Sequence, residues 1–269
     1  SQLDFVEEQY DYFVKYPSIF DREYMLNLFA NNYLEFLEKN DASKKEIEVI
    51  YKKYWKCYSV RMNCVQSCIN DKNYDQALKY LDKCIKLDYK DQSLLKRDIE
   101  MKKDIYKKQG NREGYREMTK VIVLDFRDTG IEEYIELKNL YTSKEWAKER
   151  DSIIKQINSD WLLCAIYAQE NLHKQLLDSI VKSNDKQLLC QYTRLLKDEY
   201  PEQLLHMYRV AVEKEAERAS NRSYYRQLVG DLRVMKSITG GDKVVDEIIN
   251  KWKDQYKNRT AMMDELSKI

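Results

Sequence analysis

Apolar side chains return at every third or fourth position along most of this 269-residue chain. Because an α-helix has about 3.6 residues per turn, this spacing puts the apolar residues on one helical face. Short polar breaks interrupt the pattern at residues 70–73 and at residues 110 and 111. The sequence therefore predicts an all-α protein in which amphipathic helices are joined by short turns.

Two segments in the first half of the chain follow the same pattern. Residues 71–88 read DKNYDQALKYLDKCIKLD, and residues 110–125 read GNREGYREMTKVIVLD. Small residues, Ala77 and Gly114, stand at equivalent places 37 positions apart, where they let a neighbouring helix approach closely. Both segments resemble the second helix of a tetratricopeptide hairpin. We therefore expect antiparallel helical hairpins stacked as a tetratricopeptide-like solenoid or superhelix.

The apolar stripes also predict where the helices lie. Residues 1–40 are expected to form two helices broken near Pro17, and residues 46–69 a single long helix. Thr129 and Glu132 have the spacing of a capping box, which predicts a helix start there. Further helices are expected over residues 74–85, 94–108, 112–124, 145–157, 161–168, 172–181 and 185–196.

The regularity of the repeat decays beyond Asp160. The chain is therefore expected to have two regions, a tetratricopeptide-like repeat region over residues 1–160 and a C-terminal helical region over residues 161–269.

The C-terminal region contains residues with strong preferences for helix ends. Proline is favoured in the first turn of a helix, which predicts a helix start at Pro201. Asn221 is expected to break the chain between two helices, and Gly240 and Gly241 are expected to close a helix. We expect Tyr225 and Trp252 to be buried against the helix over residues 200–216. The acidic pair at 264–265 is expected to close the end of the region near Arg259.

Composition narrows the class of protein. The sequence has six glycines and two prolines, which is few for sheets or phosphate-binding loops, and it begins without an initiator Met. No apolar run approaches the roughly 18 residues of a membrane span. We expect a fragment of a longer cytoplasmic protein, without a membrane segment, whose reduced core thiols are Cys57, Cys64, Cys68, Cys84, Cys164 and Cys190.

Charge is nearly balanced over the whole chain but not locally. The formal net charge is +1, yet residues 1–40 carry three basic and eight acidic side chains, and residues 41–120 sum to +7. This asymmetry predicts a polarised surface that could orient a partner.

Basic and aromatic residues interleave at residues 51–58, YKKYWKCY, as they do on surfaces that stack on nucleic-acid bases. Core packing is the preferred interpretation, because Tyr51, Tyr54 and Tyr58 fall on an apolar stripe and the lysines fall beside it.

Candidate metal and catalytic residues are sparse. Cys57, Cys64 and Cys68 share a helical face, but a zinc site wants four ligands, and the two histidines, His173 and His206, are far away in sequence. Neither histidine has an adjacent nucleophile motif. Acidic pairs are expected to be solvated in a chain with 46 acidic residues. We therefore predict no catalytic residue, metal or cofactor.

Three arginines form the one candidate binding site. Arg218, Arg222 and Arg226 recur at steps of four and could bind a carboxylate or phosphate bidentately. The alternative is a structural clamp, in which Arg222 binds carbonyls at the helix end together with nearby Glu215 or Glu217.

The C-terminal region also carries a family resemblance. Its motifs, in order, are YP at 200–201, ASNR at 219–222 with Tyr225, GG at 240–241, and Tyr256 followed by RTAMMDEL at 259–266. Over about residues 185–269 this order resembles the C-terminal helical region of bacterial SWIM zinc-finger proteins. Thr260 stands where that family usually has proline.

The resemblance implies a zinc finger outside this chain. The family's finger uses a Cys-x-Cys pair followed by Cys-x-His, and neither spacing occurs here, so no zinc ligand carries over. The finger would then lie in a missing N-terminal part, which would contact nucleic acid or a partner.

Two functions remain open at this point. We favour a noncatalytic scaffold for a protein or peptide partner, because stacked hairpins expose a groove that receives a peptide or helix. The alternative is an accessory nucleic-acid-binding module, suggested by the basic region over residues 41–120 and by the implied zinc finger.

Overall fold

A computed structural model describes residues 22–40 and 42–269 together with positions 8, 12 and 15. The described residues form fifteen helices and no strand, which confirms the predicted all-α class. Of the two helices predicted in residues 1–40, the first lies outside the described residues except at positions 8, 12 and 15, which are helical, and the second is α1. The break predicted near Pro17 lies outside the described residues. The helices are α1 Arg22–Lys39, α2 Lys44–Lys53, α3 Tyr58–Asn70, α4 Tyr74–Asp88, α5 Gln92–Lys108, α6 Arg112–Asp125, α7 Ile131–Asn139, α8 Ser143–Gln156, α9 Asp160–Gln169, α10 His173–Ser183, α11 Lys186–Leu196, α12 Pro201–Arg218, α13 Arg222–Lys236, α14 Gly241–Gln255 and α15 Thr260–Leu266.

The long helix predicted over residues 46–69 is wrong, because a kink at residues 54–57 divides it into α2 and α3. The guanidinium of Arg61 stabilises the kink: its Nη1 donates to the carbonyl of Lys56 at 2.9 Å and to that of Trp55 at 3.3 Å. Apolar residues are buried on both sides, including Tyr51 and Cys64. The apolar stripe therefore continues through a break that the spacing alone does not reveal.

The predicted start of α7 is also displaced. The backbone N–H of Gly130, not that of Thr129, is capped, and Glu133 Oε2 accepts from it at 3.1 Å in place of Glu132. The Thr129 hydroxyl instead donates to the carbonyl of Ile122 at 2.8 Å inside the protein. A buried hydroxyl needs a partner, so this tertiary bond takes precedence over the local cap.

The chain divides into two compact units, Ser1–Ile153 and Ile154–Ile269, whereas the sequence-based boundary followed residue 160. In the first unit, successive helices from α3 to α7 pack against one another. Ala77 is fully buried, and a Cβ added to Gly114 would lie 2.7 Å from the ring of Tyr106. The two small residues therefore lie where neighbouring helices approach closely, as the sequence predicts.

Three ion pairs in the first unit join a helix to the second helix after it along the chain. This ion-pair ladder links α5 to α7 and α6 to α8, so it fixes neighbouring hairpins relative to each other. Its members are Lys103–Glu136 at 3.0 Å, Lys120–Glu149 at 3.5 Å and Arg116–Glu145 at 3.9 Å.

The second unit is built around one large apolar core drawn from α9 through α15. Pro201 stands in the first turn of α12 and Gly240 has φ +84°, as the sequence predicts. Tyr225 and Trp252 are buried in this core. In the described part of the chain, no helix is long and apolar enough to cross a membrane.

Candidate functional site

A groove of about 440 Å³ lies at the elbow between α12 and α13. The chain turns there because α12 ends at Arg218 and Asn221 caps α13, its Oδ1 accepting from the N–H groups of Ser223 at 3.0 Å and Tyr224 at 3.2 Å. Tyr224 is 52% exposed beside an apolar floor. We call this the elbow groove; its walls are Glu215, Arg218, Ala219, Ser220, Tyr224, Gln227 and Leu228.

The three candidate arginines do not converge on one site. Arg222 Nη2 donates to Asp264 Oδ2 at 2.7 Å, and Arg226 Nε lies 3.5 Å from Glu265 Oε1. Both arginines are therefore paired with carboxylates of α15. Arg218 is exposed, lines the elbow groove and forms no ion pair with a described residue. It is the arginine of the three whose charge is open to a ligand.

The structural clamp expected of Arg222 is formed by a different residue. Arg259 Nη1 donates to the carbonyls of Ala216 at 2.7 Å and Ala219 at 3.1 Å, and its guanidinium lies 4.3 Å from the ring centre of Tyr256. The expectation that Arg222 binds these carbonyls is therefore wrong. Arg259 satisfies the helix end from beneath the elbow, and this holds the floor of the groove in place.

The acidic residue of the elbow groove wall, Glu215, is paired from inside the protein. Lys186 Nζ bonds Glu215 Oε2 at 2.5 Å and Asp231 Oδ2 at 2.6 Å. Burial disfavours the charge on Lys186, but the bonds to the two carboxylates outweigh this and raise its pKa. Lys186 is one cation shared between two carboxylates, so the charge of the groove wall that stays unpaired among the described residues is that of Arg218.

A larger groove of about 790 Å³ lies between the start of α5 and the loop after α6. Basic and acidic side chains are mixed along its walls, and Lys96 pairs with Asp128 at 2.9 Å. Its walls carry three basic and three acidic side chains, which sum to no net charge, so the groove favours neither sign of ligand.

Four of the six cysteines are buried as predicted, but the prediction of a core thiol is wrong for Cys190, which lies at the surface. Cys57 and Cys64 are buried, Cys68 is half-buried, Cys190 is exposed, and all six cysteines of the chain are free. Burial raises the pKa of Cys64 to about 12, which removes its nucleophilic thiolate at neutral pH. Among the described residues, no group of three His, Cys, Asp or Glu side chains could hold a metal ion.

The remaining candidates are separated in space or occupied. Tyr51 and Tyr54 are buried, as core packing predicts, whereas Tyr58 is half-buried. His173 Nδ1 lies 2.7 Å from Glu199 Oε2 at the surface, and His206 is exposed on α12.

The sequence analysis missed a buried ionic cluster in the first unit. Arg61, Asp88 and Asp98 come from α3, α4 and α5, and each is less than a tenth exposed. Arg61 Nη2 binds both oxygens of Asp88, at 2.6 and 2.7 Å. A signal exists in the sequence, since Asp98 stands at helical spacing between the apolar Leu95 and Met101.

Comparison of the chain with models of protein families, with curated proteins and with solved structures finds no match. The geometry of the two units is therefore the main support for a function.

Proposed function

We propose that this chain is a noncatalytic, cytoplasmic protein-interaction scaffold whose second unit docks a partner segment in the elbow groove. The observation that supports it best is the unpaired Arg218 beside the exposed Tyr224. Arginine and tyrosine are the residue types that dominate binding energy at protein interfaces, because each combines a large contact area with directed polar groups.

The chemistry of the elbow groove specifies a partner. Arg218 supplies a planar fork of donors for a carboxylate, and the exposed ring of Tyr224 supplies an apolar surface. A peptide segment with Asp or Glu next to an apolar side chain fits both. The resemblance to SWIM zinc-finger proteins supports the same proposal, in which this chain is the helical part of a larger bacterial protein.

A phage library of random peptides, panned on the full chain, tests this proposal. We expect the selected peptides to carry an acidic residue beside an apolar one. Arg218→Glu should weaken their binding by at least about tenfold, because a charge of the wrong sign then faces the carboxylate. Tyr224→Ala should weaken binding as well, through lost apolar contact.

Matched controls keep the charge and area changes but move them away from the groove. Arg194→Glu changes an exposed arginine of α11, and Tyr89→Ala removes a tyrosine that is 60% exposed in the first unit. Both should bind the peptides like the parent. Equal binding by the parent and the two groove variants, or selected peptides without acidic residues, would refute the docking site.

An accessory nucleic-acid-binding module is the second candidate, supported by a basic and aromatic surface in the first unit. Lys83 Nζ lies 5.4 Å from the ring centre of Tyr80 and 5.9 Å from that of Trp55. Binding to RNA or DNA that falls steeply with salt, and falls further in Trp55→Ala, would favour this function. Several lysines of the same region are already paired within the protein, among them Lys102 with Asp82 at 2.7 Å, which is why we prefer the scaffold.

A further inference from the structure

The first unit buries two carboxyl groups around one arginine. Arg61 binds Asp88 with two short bonds, and Asp98 is fully buried beside them. Neither oxygen of Asp98 has an N–H group within bonding distance. If both aspartates were ionised, a negative charge would be left in the core without a donor, which is strongly unfavourable.

The groups that face Asp98 come from two neighbouring helices. Asp88 on α4 opposes its negative charge, whereas Arg61 of α3 favours it. Burial raises the pKa of Cys84 to about 12 and also raises the pKa of Tyr58, so both groups stay neutral between pH 5 and pH 8. One cation thus faces two carboxyl groups. The arrangement is balanced when the two aspartates hold a single proton between them.

Arg61 connects this cluster to the backbone. The same guanidinium that binds Asp88 also holds the carbonyls of Trp55 and Lys56 at the kink. Two residues of the kink, Tyr54 and Cys57, are buried in a hydrophobic cluster that also contains residues of α1, α2 and α3. A change of charge near Arg61 would therefore alter its hydrogen bonds to the backbone between α2 and α3.

We propose that the Arg61–Asp88–Asp98 cluster is a proton-operated latch, which holds the kink between α2 and α3 while the two aspartates share one proton and weakens it when that proton leaves. A second carboxylate then competes with Asp88 for Arg61, and the bonds to the kink carbonyls loosen.

The pKa of Asp98 determines the direction in which pH changes the opening of the latch. Burial, first, and the neighbouring Asp88, second, raise the pKa of Asp98 to about 7. An opened latch exposes Asp98 to water, where its pKa is about 4. Between these two values, opening releases one proton, so the opening equilibrium should rise about tenfold per pH unit and level off above about pH 7.

Hydrogen exchange of the full chain, resolved to residues 54–61 and expressed as protection factors from pH 5 to pH 8, tests the latch. We expect protection of this segment to fall about tenfold per pH unit up to about pH 7. Asp98→Asn should hold protection nearly constant, since an amide cannot ionise. Asp104→Asn, an exposed site on the same helix, should behave like the parent.

A carboxyl-carbon NMR titration of the parent protein gives an independent reading that does not require the variant to fold. The latch requires a buried aspartate that titrates near neutral pH. An Asp98 that titrates near pH 4, protection that does not depend on pH, or an Asn variant with the pH dependence of the parent would each overturn the proposal.

Discussion

Replacing Arg259 by alanine should destabilise the second unit far more than replacing Arg222 by alanine. Arg259 is half-buried and bonds the carbonyls of Ala216 at 2.7 Å and Ala219 at 3.1 Å. The Arg222 side chain is 48% exposed and pairs with the exposed Asp264 at 2.7 Å. It also lies 3.7 Å from the buried Glu265, but that carboxylate keeps Arg226 and Lys268 as partners when Arg222 is removed. The two arginines differ in what their removal leaves behind.

The magnitude follows from the acceptors that lose a donor. Without Arg259, the carbonyl of Ala219 still accepts from the hydroxyl of Tyr225 at 3.3 Å, but the carbonyl of Ala216 loses its side-chain donor. One charge-assisted bond is worth about 1.5–3 kcal/mol, and a cation at a helix C-terminus adds about 0.3–1 kcal/mol. We expect Arg259→Ala to cost about 2–4 kcal/mol and Arg222→Ala about 0–1 kcal/mol, as for other exposed ion pairs.

Urea unfolding of the full-length variants, followed by far-ultraviolet circular dichroism, measures both losses. Arg259→Lys should fall between the parent and Arg259→Ala, because lysine keeps the charge but not the planar fork. A loss for Arg222→Ala equal to that for Arg259→Ala would show that the clamp is assigned to the wrong residue.

Four further substitutions test burial, backbone space and thiol exposure. Asp98→Asn should raise the free energy of unfolding by up to about 4 kcal/mol at pH 7, and this gain should vanish near pH 4. The reason is that a buried acid whose pKa is raised destabilises the folded protein as the pH rises from the unfolded-state pKa to the folded-state pKa. Thermal unfolding at both pH values measures the difference. Gly241→Ala should lower the free energy of unfolding by at least about 2 kcal/mol, since the added Cβ would lie 1.8 Å from the carbonyl oxygen of Met235. Gly230→Ala, which has open space around it on α13, should instead raise the free energy of unfolding by about 0.5–1 kcal/mol. The same urea experiment measures both changes. A thiol reagent should modify exposed Cys190 in a fast phase that Cys190→Ser removes, and a fast phase that survives this change would contradict the assigned burial.

Local chemistry made much of the second unit predictable from sequence. Proline at the start of α12, Asn221 as a cap and Gly240 with a positive φ each act on their own backbone, so one sequence suffices to place them. The buried positions of Tyr225 and Trp252 follow from helical spacing for the same reason.

Features that depend on distant residues were not predictable in this way. The kink at residues 54–57 is held by Arg61, whose own position depends on Asp88 in the next helix. The folded positions of Asp264 and Arg259 decide which arginine binds the carbonyls at the end of α12. They also decide which arginine remains available to a ligand. Spacing within a segment contains no information about such partners.

The ion-pair ladder of the first unit limits how its hairpins can be rearranged. Each pair, such as Lys103 with Glu136, requires a specific neighbour two helices along the chain. If a hairpin were duplicated or moved by protein engineering, its charged side chains would face residues other than their present ion-pair partners. Repeat proteins are often treated as interchangeable modules. Here, moving the α5–α6 hairpin would require new facing charges at the junction that it now forms with α7 and α8.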